Sequence, residues 1–345
     1  MQAADIIAED VHALLAATRA DVWSALRGQR LFITGGTGFV GKWLLEALAA
    51  ADAVMDLGLR VTVLTRDASA FRLRHPRLAA ARLLQLHEGD VASFAFPAGA
   101  FDLVVHAALP ASTHAQDAAT LVETARAGVQ RVGAFATQAG VQRLLHVSSG
   151  AVYGPAGGGI PLREDTAWAQ PAPNAYTEAK RAAETLCAGS WPFEVAIARL
   201  FAFAGPWLEP SGGSAAAQFI ADAAAGRDIV VQGTGEAVRS FQYPSDMARW
   251  LLTLLVLAPG GSTFNVGSEE AVSIRELAGR VASAAGVGCH VLGQPAPGLA
   301  GNFYVPATAL AREQFGLVNT VPLDAALHRT LAWRSASQRF QETVA

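Results

Sequence analysis

The chain has 345 residues, of which 52% are hydrophobic and 16% are charged, and its net charge at pH 7 is −3. This length suits one large domain or two closely packed ones, and this composition is typical of a globular protein with a substantial core. The small net charge provides no overall field for binding nucleic acid or an anionic membrane. The two cysteines, Cys187 and Cys289, do not form a metal-binding pair, so we expect neither a disulfide scaffold nor a metal site.

Residues 1–28 predict a helical extension before the first strand, because their apolar residues recur at helical spacing. Asp5, Glu9 and Asp10 lie where a signal peptide has an apolar core, which argues against a signal peptide. No apolar run approaches the roughly 20 residues that span a bilayer. We therefore expect a cytoplasmic protein that binds neither membrane nor nucleic acid.

From residue 29, short apolar runs alternate with helix-forming runs rich in Ala and Leu. The strand-like runs are residues 31–34, 60–64, 83–87, 103–106, 143–148 and 195–200. This alternation predicts an α/β fold with a doubly wound parallel sheet, whose ligand crevice lies at the carboxyl ends of the strands. The pattern changes after residue 206, where a glycine-rich segment, a further helix and a short strand at residues 229–231 follow.

A glycine-rich turn joins the first predicted strand to the helix after it, in the run Thr34-Gly35-Gly36-Thr37-Gly38-Phe39-Val40-Gly41. Strand, glycines and helix are the context of a dinucleotide-binding fingerprint, although the spacing here is G-x-x-G-x-x-G. In this interpretation Gly35 permits the tight turn, Gly38 lets a pyrophosphate approach the backbone, and Gly41 lets the helix pack closely on the sheet. The free amides and the dipole of the helix N-terminus favour the anion. The predicted cofactor-binding residues of this turn are Gly35, Thr37, Gly38, Phe39, Val40 and Gly41.

Tyr176 and Lys180 lie four residues apart in a predicted helix, so their side chains project from the same face. A nearby ammonium favours the phenolate and is expected to lower the pKa of the Tyr176 phenol toward neutrality. Such a phenol can give or take a proton at a sugar or alcohol oxygen while a hydride moves to or from the carbon. We predict that both residues are catalytic.

Taken in order, these patterns resemble the extended short-chain dehydrogenase/reductase superfamily, in its branch of NAD-dependent nucleotide-sugar epimerases, dehydratases and reductases. The motifs that carry the resemblance are residues 34–41, Gly89-Asp90-Val91, His106-Ala107-Ala108, residues 147–154, residues 176–180, Arg239-Ser240-Phe241 with Asp246, and residues 264–268. The resemblance implies a Rossmann-type dinucleotide-binding domain at residues 29–200. It also implies a smaller, discontinuous substrate-binding domain, mainly at residues 201–345 and interleaved with the first, and a homodimer.

The resemblance also implies roles for individual residues at the reacting centre and the cofactor. Ser149 is expected to hydrogen-bond the reacting sugar oxygen beside Tyr176, and Lys180 is expected to hold the nicotinamide ribose as well. The resemblance implies five further cofactor contacts, at Asp90, Val91, Ala107, Ala108 and Tyr176.

Substrate contacts are implied at two positions. Arg239 matches an arginine that pairs with the nucleotide diphosphate, and Phe203 lies in a segment that contacts substrate. His106 and His114 are expected to be packed or hydrogen-bonded rather than to serve in acid–base chemistry.

Arg66 decides the predicted cofactor. It follows the second strand, where a guanidinium can clamp an adenosine 2′-phosphate, and the resemblance to NADP-using reductases favours the same interpretation. NADP(H) is therefore favoured as cofactor. Asp67 keeps NAD(H) possible, because a carboxylate at this place can bind the ribose diol.

The residues after Ser149 limit the reaction. The 4,6-dehydratases of this family carry an Asp-Glu pair there, and its decarboxylases usually carry a Glu in the same run, whereas this chain has Gly150 and Ala151, which cannot transfer protons. This argues against both reactions and leaves reduction and 4-epimerization.

Residues 199–203 resemble a bacterial subgroup that includes dTDP-4-keto-6-deoxyglucose reductases, although Ala202 replaces an Asn that commonly contacts substrate. Our hypothesis is an NAD(P)H-dependent reduction of an NDP-4-keto-6-deoxyhexose at C4. One alternative is an NAD-dependent nucleotide-sugar 4-epimerase. The other is a non-catalytic dinucleotide-binding regulator, a class that typically lacks the Tyr/Lys pair.

Overall fold

A seven-stranded parallel sheet forms the centre of the protein. The computed structural model describes residues 2–109, 118–155, 157–210, 213–294 and 302–344, so His114 lies outside the described residues. The strands of this sheet are β1 (Arg30–Thr34), β2 (Arg60–Thr65), β3 (Leu84–Glu88), β4 (Leu103–His106), β5 (Arg143–Ser149), β6 (Glu194–Leu200) and β11 (Thr263–Val266). Their order across the sheet is β11-β6-β5-β4-β1-β2-β3. The six predicted strands are confirmed within one residue at each end, and the doubly wound α/β class is confirmed with them.

Helices cover both faces of this sheet. The helices of the described residues are α1 (Ala3–Ala17), α2 (Ala20–Leu26), α3 (Phe39–Met55), α4 (Ala68–Arg74), α5 (Pro76–Ala79), α6 (Ala118–Ala139), α7 (Ala175–Cys187), α8 (Ala215–Ala224), α9 (Pro244–Leu257), α10 (Ile274–Ala285), α11 (Ala309–Phe315) and α12 (Leu323–Val344). On one face α6 and α7 bury an aromatic cluster around Phe32 and Phe135. On the other face α1, α2, α3 and α9 bury a larger core that contains Trp43 and Trp250. No helix in the described part of the chain is both long and apolar enough to cross a bilayer.

Short strands organise the rest of the chain. They are β7 (Ala202–Phe203) paired with β10 (Phe241–Gln242), β9 (Val238–Arg239) between β12 (Val272–Ser273) and β14 (Phe303–Tyr304), and β8 (Ile229–Val231) paired with β13 (Cys289–Val291). The predicted strand at residues 229–231 is confirmed. Together with α8, α10 and α12, these strands enclose a separate apolar cluster. However, β11 pairs with β6 and α9 packs under the main sheet, so part of the chain after residue 201 completes the sheet layer.

The N-terminal extension is helical, as predicted, and it is part of the core. Ile7, Val11 and Leu14 of α1 are buried in the same cluster as the central strands. Asp10, also buried, accepts hydrogen bonds from the Tyr243 hydroxyl at 2.6 Å and from Arg329 Nε at 2.7 Å. Because Tyr243 precedes α9 and Arg329 lies on α12, this one carboxylate joins α1 to two distant helices.

Candidate active site

The glycine turn has the tight geometry that its sequence predicts. Gly35 has a φ of +72°, and a Cβ there would lie 2.7 Å from the backbone of Ala107 at the end of β4. A Cβ on Gly41 would lie 2.3 Å from Gly36 Cα, and a Cβ on Gly36 would lie 2.6 Å from Val63 Cγ1 of β2. Gly41, in the first turn of α3, therefore packs directly on Gly36 of the glycine turn. Gly36 in turn packs directly on the sheet.

An open cleft of about 330 Å³ lies at the carboxyl ends of the central strands. Eight of the predicted cofactor residues line it: Gly35, Thr37, Gly38, Arg66, Asp90, Val91, Ala107 and Ala108. The cleft also includes residues that the sequence analysis did not select, which are Leu64, Thr65, Gly89, Leu109 and Thr124. Most of these residues are next to a predicted residue at the end of a strand, so their position at a strand end could have identified them. Phe39, Val40, Gly41, Tyr176 and Lys180 are not among the lining residues.

The cleft has the features that a dinucleotide requires. Gly38 is the N-cap of α3 and provides no side-chain cap, so the amides of the first turn are available to an anion. Side chains at Gly35, Gly36 or Gly41 would collide with neighbouring atoms, which is the property of a turn built for close backbone approach. The residues present therefore fit a bound diphosphate.

Three charged residues near the cleft bear on the choice of dinucleotide. Arg66 is exposed at the cleft wall after β2. The Asp67 carboxylate accepts a hydrogen bond from the Ala70 amide at 2.8 Å and caps α4. Asp90 accepts from the Ala92 amide at 2.9 Å and holds the turn after β3. Both carboxylates thus have one oxygen occupied in local structure, whereas the Arg66 guanidinium has no ion-pair partner among the described residues.

The structure brings Ser149, Tyr176 and Lys180 together between β5 and α7. Asn174 begins α7 by accepting a hydrogen bond from the Thr177 amide at 2.9 Å. The Lys180 ammonium lies 5.9 Å from the centroid of the Tyr176 ring and donates to the Val147 carbonyl of β5 at 2.9 Å. The Tyr176 phenol lies near the Ser149 hydroxyl, which is at the end of the same strand.

The prediction that the Lys180 ammonium lowers the pKa of the Tyr176 phenol is wrong for the protein by itself. Burial raises the pKa of Tyr176, and the nearby Ser149 hydroxyl opposes that rise only in part. Burial also lowers the pKa of Lys180 to about 8. The packing that places the two groups side by side removes both from water, and this favours the neutral form of each.

Tyr304 is a site residue that the sequence analysis missed. Its hydroxyl oxygen lies 2.7 Å from the position of a Cβ at Gly150, next to Ser149, and its ring lies on Phe201 with 4.6 Å between the ring centroids. Because β14 pairs with β9 in register, Tyr304 lies beside Arg239, whose guanidinium is 5.6 Å from the Tyr304 ring centroid. No local spacing in the sequence connects Tyr304 with Ser149.

Arg239 and Phe203 occupy two different places around the site. Arg239 is half-buried, donates to the carbonyls of Val238 at 2.8 Å and Asn302 at 2.9 Å, and forms no ion pair with a carboxylate of the described residues. Its charge is therefore available to an anionic ligand. Phe203 packs against Phe39 of the glycine turn with 5.5 Å between ring centroids, and both rings pack against the core that contains Trp43 and Trp250.

Buried polar residues behind the site hold the strand ends in place. Thr34 Oγ1 and His106 Nδ1 are hydrogen-bonded at 2.8 Å, and burial lowers the pKa of His106 to about 3, so the packed role predicted for His106 is confirmed. Ser148 donates to Glu184, and the same carboxylate pairs with Arg199 at 2.8 Å. Because this ion pair is buried, loss of either Glu184 or Arg199 would leave the other charge without a partner and without water.

The parallel sheet order and the glycine turn at the start of α3 define a Rossmann-type, dinucleotide-binding class of α/β protein. Residues 31–267 match the NAD dependent epimerase/dehydratase family, and the chain belongs to that family of extended short-chain dehydrogenase/reductase enzymes.

Similar proteins include several enzymes of nucleotide-sugar chemistry. UDP-glucuronic acid decarboxylase 1 of Xenopus tropicalis is 29% identical over 272 residues, which cover 76% of this chain and 62% of that protein. dTDP-glucose 4,6-dehydratase of Streptomyces niveus is 26% identical over 334 residues, covering 91% of this chain and 95% of that protein. The solved structure of a dTDP-glucose 4,6-dehydratase from Streptomyces venezuelae with NAD bound has the same fold, with a TM-score of 0.78 at 23% identity over 92% of this chain and 100% of that one.

Proposed function

We propose that the protein is a nucleotide-sugar oxidoreductase that reduces the C4 ketone of an NDP-4-keto-6-deoxyhexose with NADPH. The observation that carries this proposal is the surroundings of Gly150, next to Ser149. A Cβ at Gly150 would lie 2.6 Å from the Phe201 ring and 2.7 Å from the Tyr304 hydroxyl oxygen. The position after Ser149 thus has no acid and no room for one, which supports hydride transfer without elimination of water.

The reacting residues support the reductive direction. The bound nicotinamide supplies the hydride. Burial raises the pKa of Tyr176, so its phenol keeps its proton at neutral pH and can donate it to the alkoxide that forms at C4. Ser149 donates to the same oxygen and orients it, and Arg239 pairs with the diphosphate of the substrate.

The preference for NADPH rests on Arg66. An exposed guanidinium at the cleft wall, with no carboxylate partner among the described residues, suits a 2′-phosphate. The Asp67 carboxylate, the alternative partner for a ribose diol, has one of its two oxygens engaged in capping α4. The family description names NAD, and NAD(H) therefore remains the cofactor of the alternative function below.

The relatives support the substrate class more than the reaction. Their names describe decarboxylation and dehydration of nucleotide sugars, two reactions for which this chain has no acid in the run after Ser149. A nucleotide sugar is therefore the substrate class that the relatives favour, and the residues at positions 149–151 are the support for reduction.

A nucleotide-sugar 4-epimerase is the second candidate. The family description includes epimerases, and Ser149, Tyr176 and Lys180 suffice for oxidation at C4 followed by reduction on retained NAD. The two candidates differ in whether the cofactor is consumed.

One assay separates these reactions. The purified protein receives dTDP-4-keto-6-deoxyglucose and NADPH, with nicotinamide absorbance followed in time and product mass measured by spectrometry. We expect stoichiometric loss of NADPH and a 6-deoxyhexose nucleotide. Interconversion of two nucleotide sugars without net loss of NADPH would instead identify an epimerase. In a parallel sample with dTDP-glucose, loss of water would overturn the exclusion of dehydration.

A further inference from the structure

Two successive turns of α7 are attached to consecutive residues near the carboxyl end of β5. The Lys180 ammonium donates to the Val147 carbonyl at 2.9 Å. One turn further along the helix, the Glu184 carboxylate accepts a hydrogen bond from the Ser148 hydroxyl. Residues four apart lie on one side of a helix, so Tyr176, Lys180 and Glu184 follow one another along α7. The side of the helix that presents the reacting groups is therefore also the side that is bound to the strand.

Arg199 fixes the carboxylate that makes the second attachment. Its Nε donates to the two Glu184 oxygens at 3.0 and 3.1 Å, and its Nη2 donates to Oε2 at 2.8 Å. Arg199 lies on β6 in register with Ser148 of β5, so strand pairing brings both partners of the carboxylate to the same place. The third nitrogen, Nη1, donates to the Tyr153 hydroxyl at 2.9 Å and to the Glu164 carbonyl at 3.0 Å. Glu184 therefore ties α7 to two strands of the main sheet at once.

The two attachments differ in whether they use a reacting group. An ammonium has three N–H donors, and the Val147 carbonyl takes one of those of Lys180, so two remain for the nicotinamide ribose and the site. If Lys180 alone held α7 on the sheet, any movement of its side chain toward a ligand would loosen the helix that carries it. The Glu184 attachment uses no reacting group and does not depend on what Lys180 binds.

We propose that Glu184 is a positioning residue for the reaction. By tying α7 to the sheet, it keeps Lys180 directed at the nicotinamide ribose and Tyr176 directed at the reacting oxygen. This inference rests on the proposed function, because it assigns a residue to that site. Leu109 lines the dinucleotide cleft and packs beside Tyr176, so this side of α7 borders the cleft. A displaced α7 would move both reacting groups relative to the nicotinamide, and reaction rates are sensitive to such misplacement.

A double variant, Glu184→Met with Arg199→Met, separates positioning from stability. Replacing a buried ion pair by apolar side chains of similar volume is often neutral or stabilising, whereas removing one partner leaves an uncompensated charge. The double variant leaves Ser148 without its carboxylate acceptor, and thermal unfolding verifies that the full-length protein still folds. Arg143→Met with Glu194→Met is the matched control, because this ion pair joins the same two strands at their other ends.

Binding of two nucleotides, measured by calorimetric titration, shows whether Lys180 has moved. The expected contacts of 2′,5′-ADP are with Arg66 and the glycine turn, whereas NADPH also reaches Lys180 through its nicotinamide ribose. We expect the double variant to bind NADPH about tenfold more weakly, the effect of weakening one charge-assisted hydrogen bond, and to bind 2′,5′-ADP within about twofold of the unmodified protein. The control variant should bind both as the unmodified protein does. NADH and 5′-ADP are measured beside them as the corresponding pair without the 2′-phosphate.

Ser148→Ala is a second variant, which keeps the ion pair and removes only the hydrogen bond between α7 and β5. We expect the same pattern with a smaller loss of NADPH affinity, about threefold, the net effect of one hydrogen bond. Unchanged NADPH affinity in the folded double variant or, where that variant does not fold, in Ser148→Ala would overturn the proposal. An equal loss of affinity for NADPH and 2′,5′-ADP would also overturn it, because Glu184 would then support the fold as a whole rather than the position of Lys180.

These titrations require no sugar substrate, so they are independent of the proposed reaction. If NADPH affinity falls as expected but the unmodified protein reduces no keto sugar, the positioning of Lys180 by Glu184 stands and the proposed function fails. If the protein reduces the keto sugar, the double variant should also lower kcat about ten- to a hundredfold at saturating NADPH, with little change in the KM for the sugar.

Discussion

At the residue scale, the proposed reaction depends on the proton of the buried Tyr176 phenol. Tyr176→Phe removes that proton while the ring continues to pack beside Leu109 and Ala179. We expect turnover to fall by about 10²–10⁴-fold, the typical contribution of general acid catalysis, while dinucleotide affinity stays within about twofold. Steady-state kinetics and a fluorescence titration measure the two effects. Turnover close to that of the unmodified protein would remove the phenol from the mechanism.

The two lysines of the chain, Lys42 and Lys180, allow a direct test of burial at the site. Burial lowers the pKa of each from 10.5 to about 8. With ¹⁵N-labelled lysine, we expect two NMR titrations with midpoints near pH 8, assigned by Lys42→Arg. A Lys180 midpoint near 10.5 would contradict the burial of its ammonium.

The same shift predicts how stability depends on pH. Because the folded pKa of Lys180 lies below the unfolded value, the unfolded chain binds more protons between pH about 8 and 10.5. The contribution of Lys180 to the free energy of unfolding therefore rises with pH across that window. Lys180→Met should remove this contribution in urea unfolding curves recorded at several pH values.

Arg66 bears on cofactor choice. Arg66→Ala should weaken NADPH binding about ten- to a hundredfold and NADH binding much less, since a hydrogen bond to a charged group contributes roughly 1.5–3 kcal/mol and only NADPH has a 2′-phosphate. Arg72→Ala is the matched control, because Arg72 is exposed on α4 outside the cleft lining. Equal losses of affinity for NADPH and NADH in Arg66→Ala would contradict the assignment of Arg66 to the 2′-phosphate.

At the element scale, α1 is joined to the body of the protein by Asp10. Asp10→Ala leaves the Tyr243 hydroxyl without its carboxylate acceptor and leaves Arg329 paired only with the exposed Glu9. We expect a loss of about 2–3 kcal/mol in the free energy of unfolding, somewhat below the roughly 3–5 kcal/mol for breaking a fully buried pair, because Arg329 is partly exposed. Urea denaturation measures this loss.

Glu9→Ala is the control for that prediction. Glu9 pairs with the same Arg329 at 3.1 Å, but it is exposed, and surface ion pairs contribute about 0–1 kcal/mol. Similar losses in Glu9→Ala and Asp10→Ala would mean that the buried hydrogen bonds of Asp10 do not stabilise the docked helix.

Elements differ in how far their sequence specifies them. Inner strands of the main sheet, such as β1 and β4, are apolar runs buried on both faces, and such runs are visible in a single sequence. By contrast, β9 and β14 have two residues each and exist because partners from distant parts of the chain lie beside them. Strands this short have no period from which to predict them.

At the scale of the whole molecule, the main sheet needs the second half of the chain. Pairing of β11 with β6 completes its edge, and α9 covers one face with buried residues that include Trp250 and Leu251. A chain ended at Leu200 should therefore fail to unfold cooperatively and should not bind NADPH, because the apolar face under α9 would be open to water. Far-UV circular dichroism during heating, with the full chain beside it, is the measurement. Cooperative unfolding of the shortened chain would show that the dinucleotide-binding domain folds independently.

Local patterns in the sequence were sufficient for the class of fold and for much of the candidate site. Strand periodicity, the glycine turn and the four-residue spacing of Tyr176 and Lys180 depend on neighbours along the chain, so they are readable without a structure. The resemblance of the motifs, in their order along the chain, to a known family added Ser149 to the candidate site. The structure places Ser149 beside Tyr176.

Tertiary structure alone decided three further properties. It placed Tyr304 against Gly150, it buried Tyr176 and Lys180 so that the pKa of the phenol rises rather than falls, and it returned residues 263–266 to the main sheet. Each of these depends on contacts between residues far apart in sequence. Burial and long-range pairing are properties of the packed chain, and they have no signature in the spacing of residues along it.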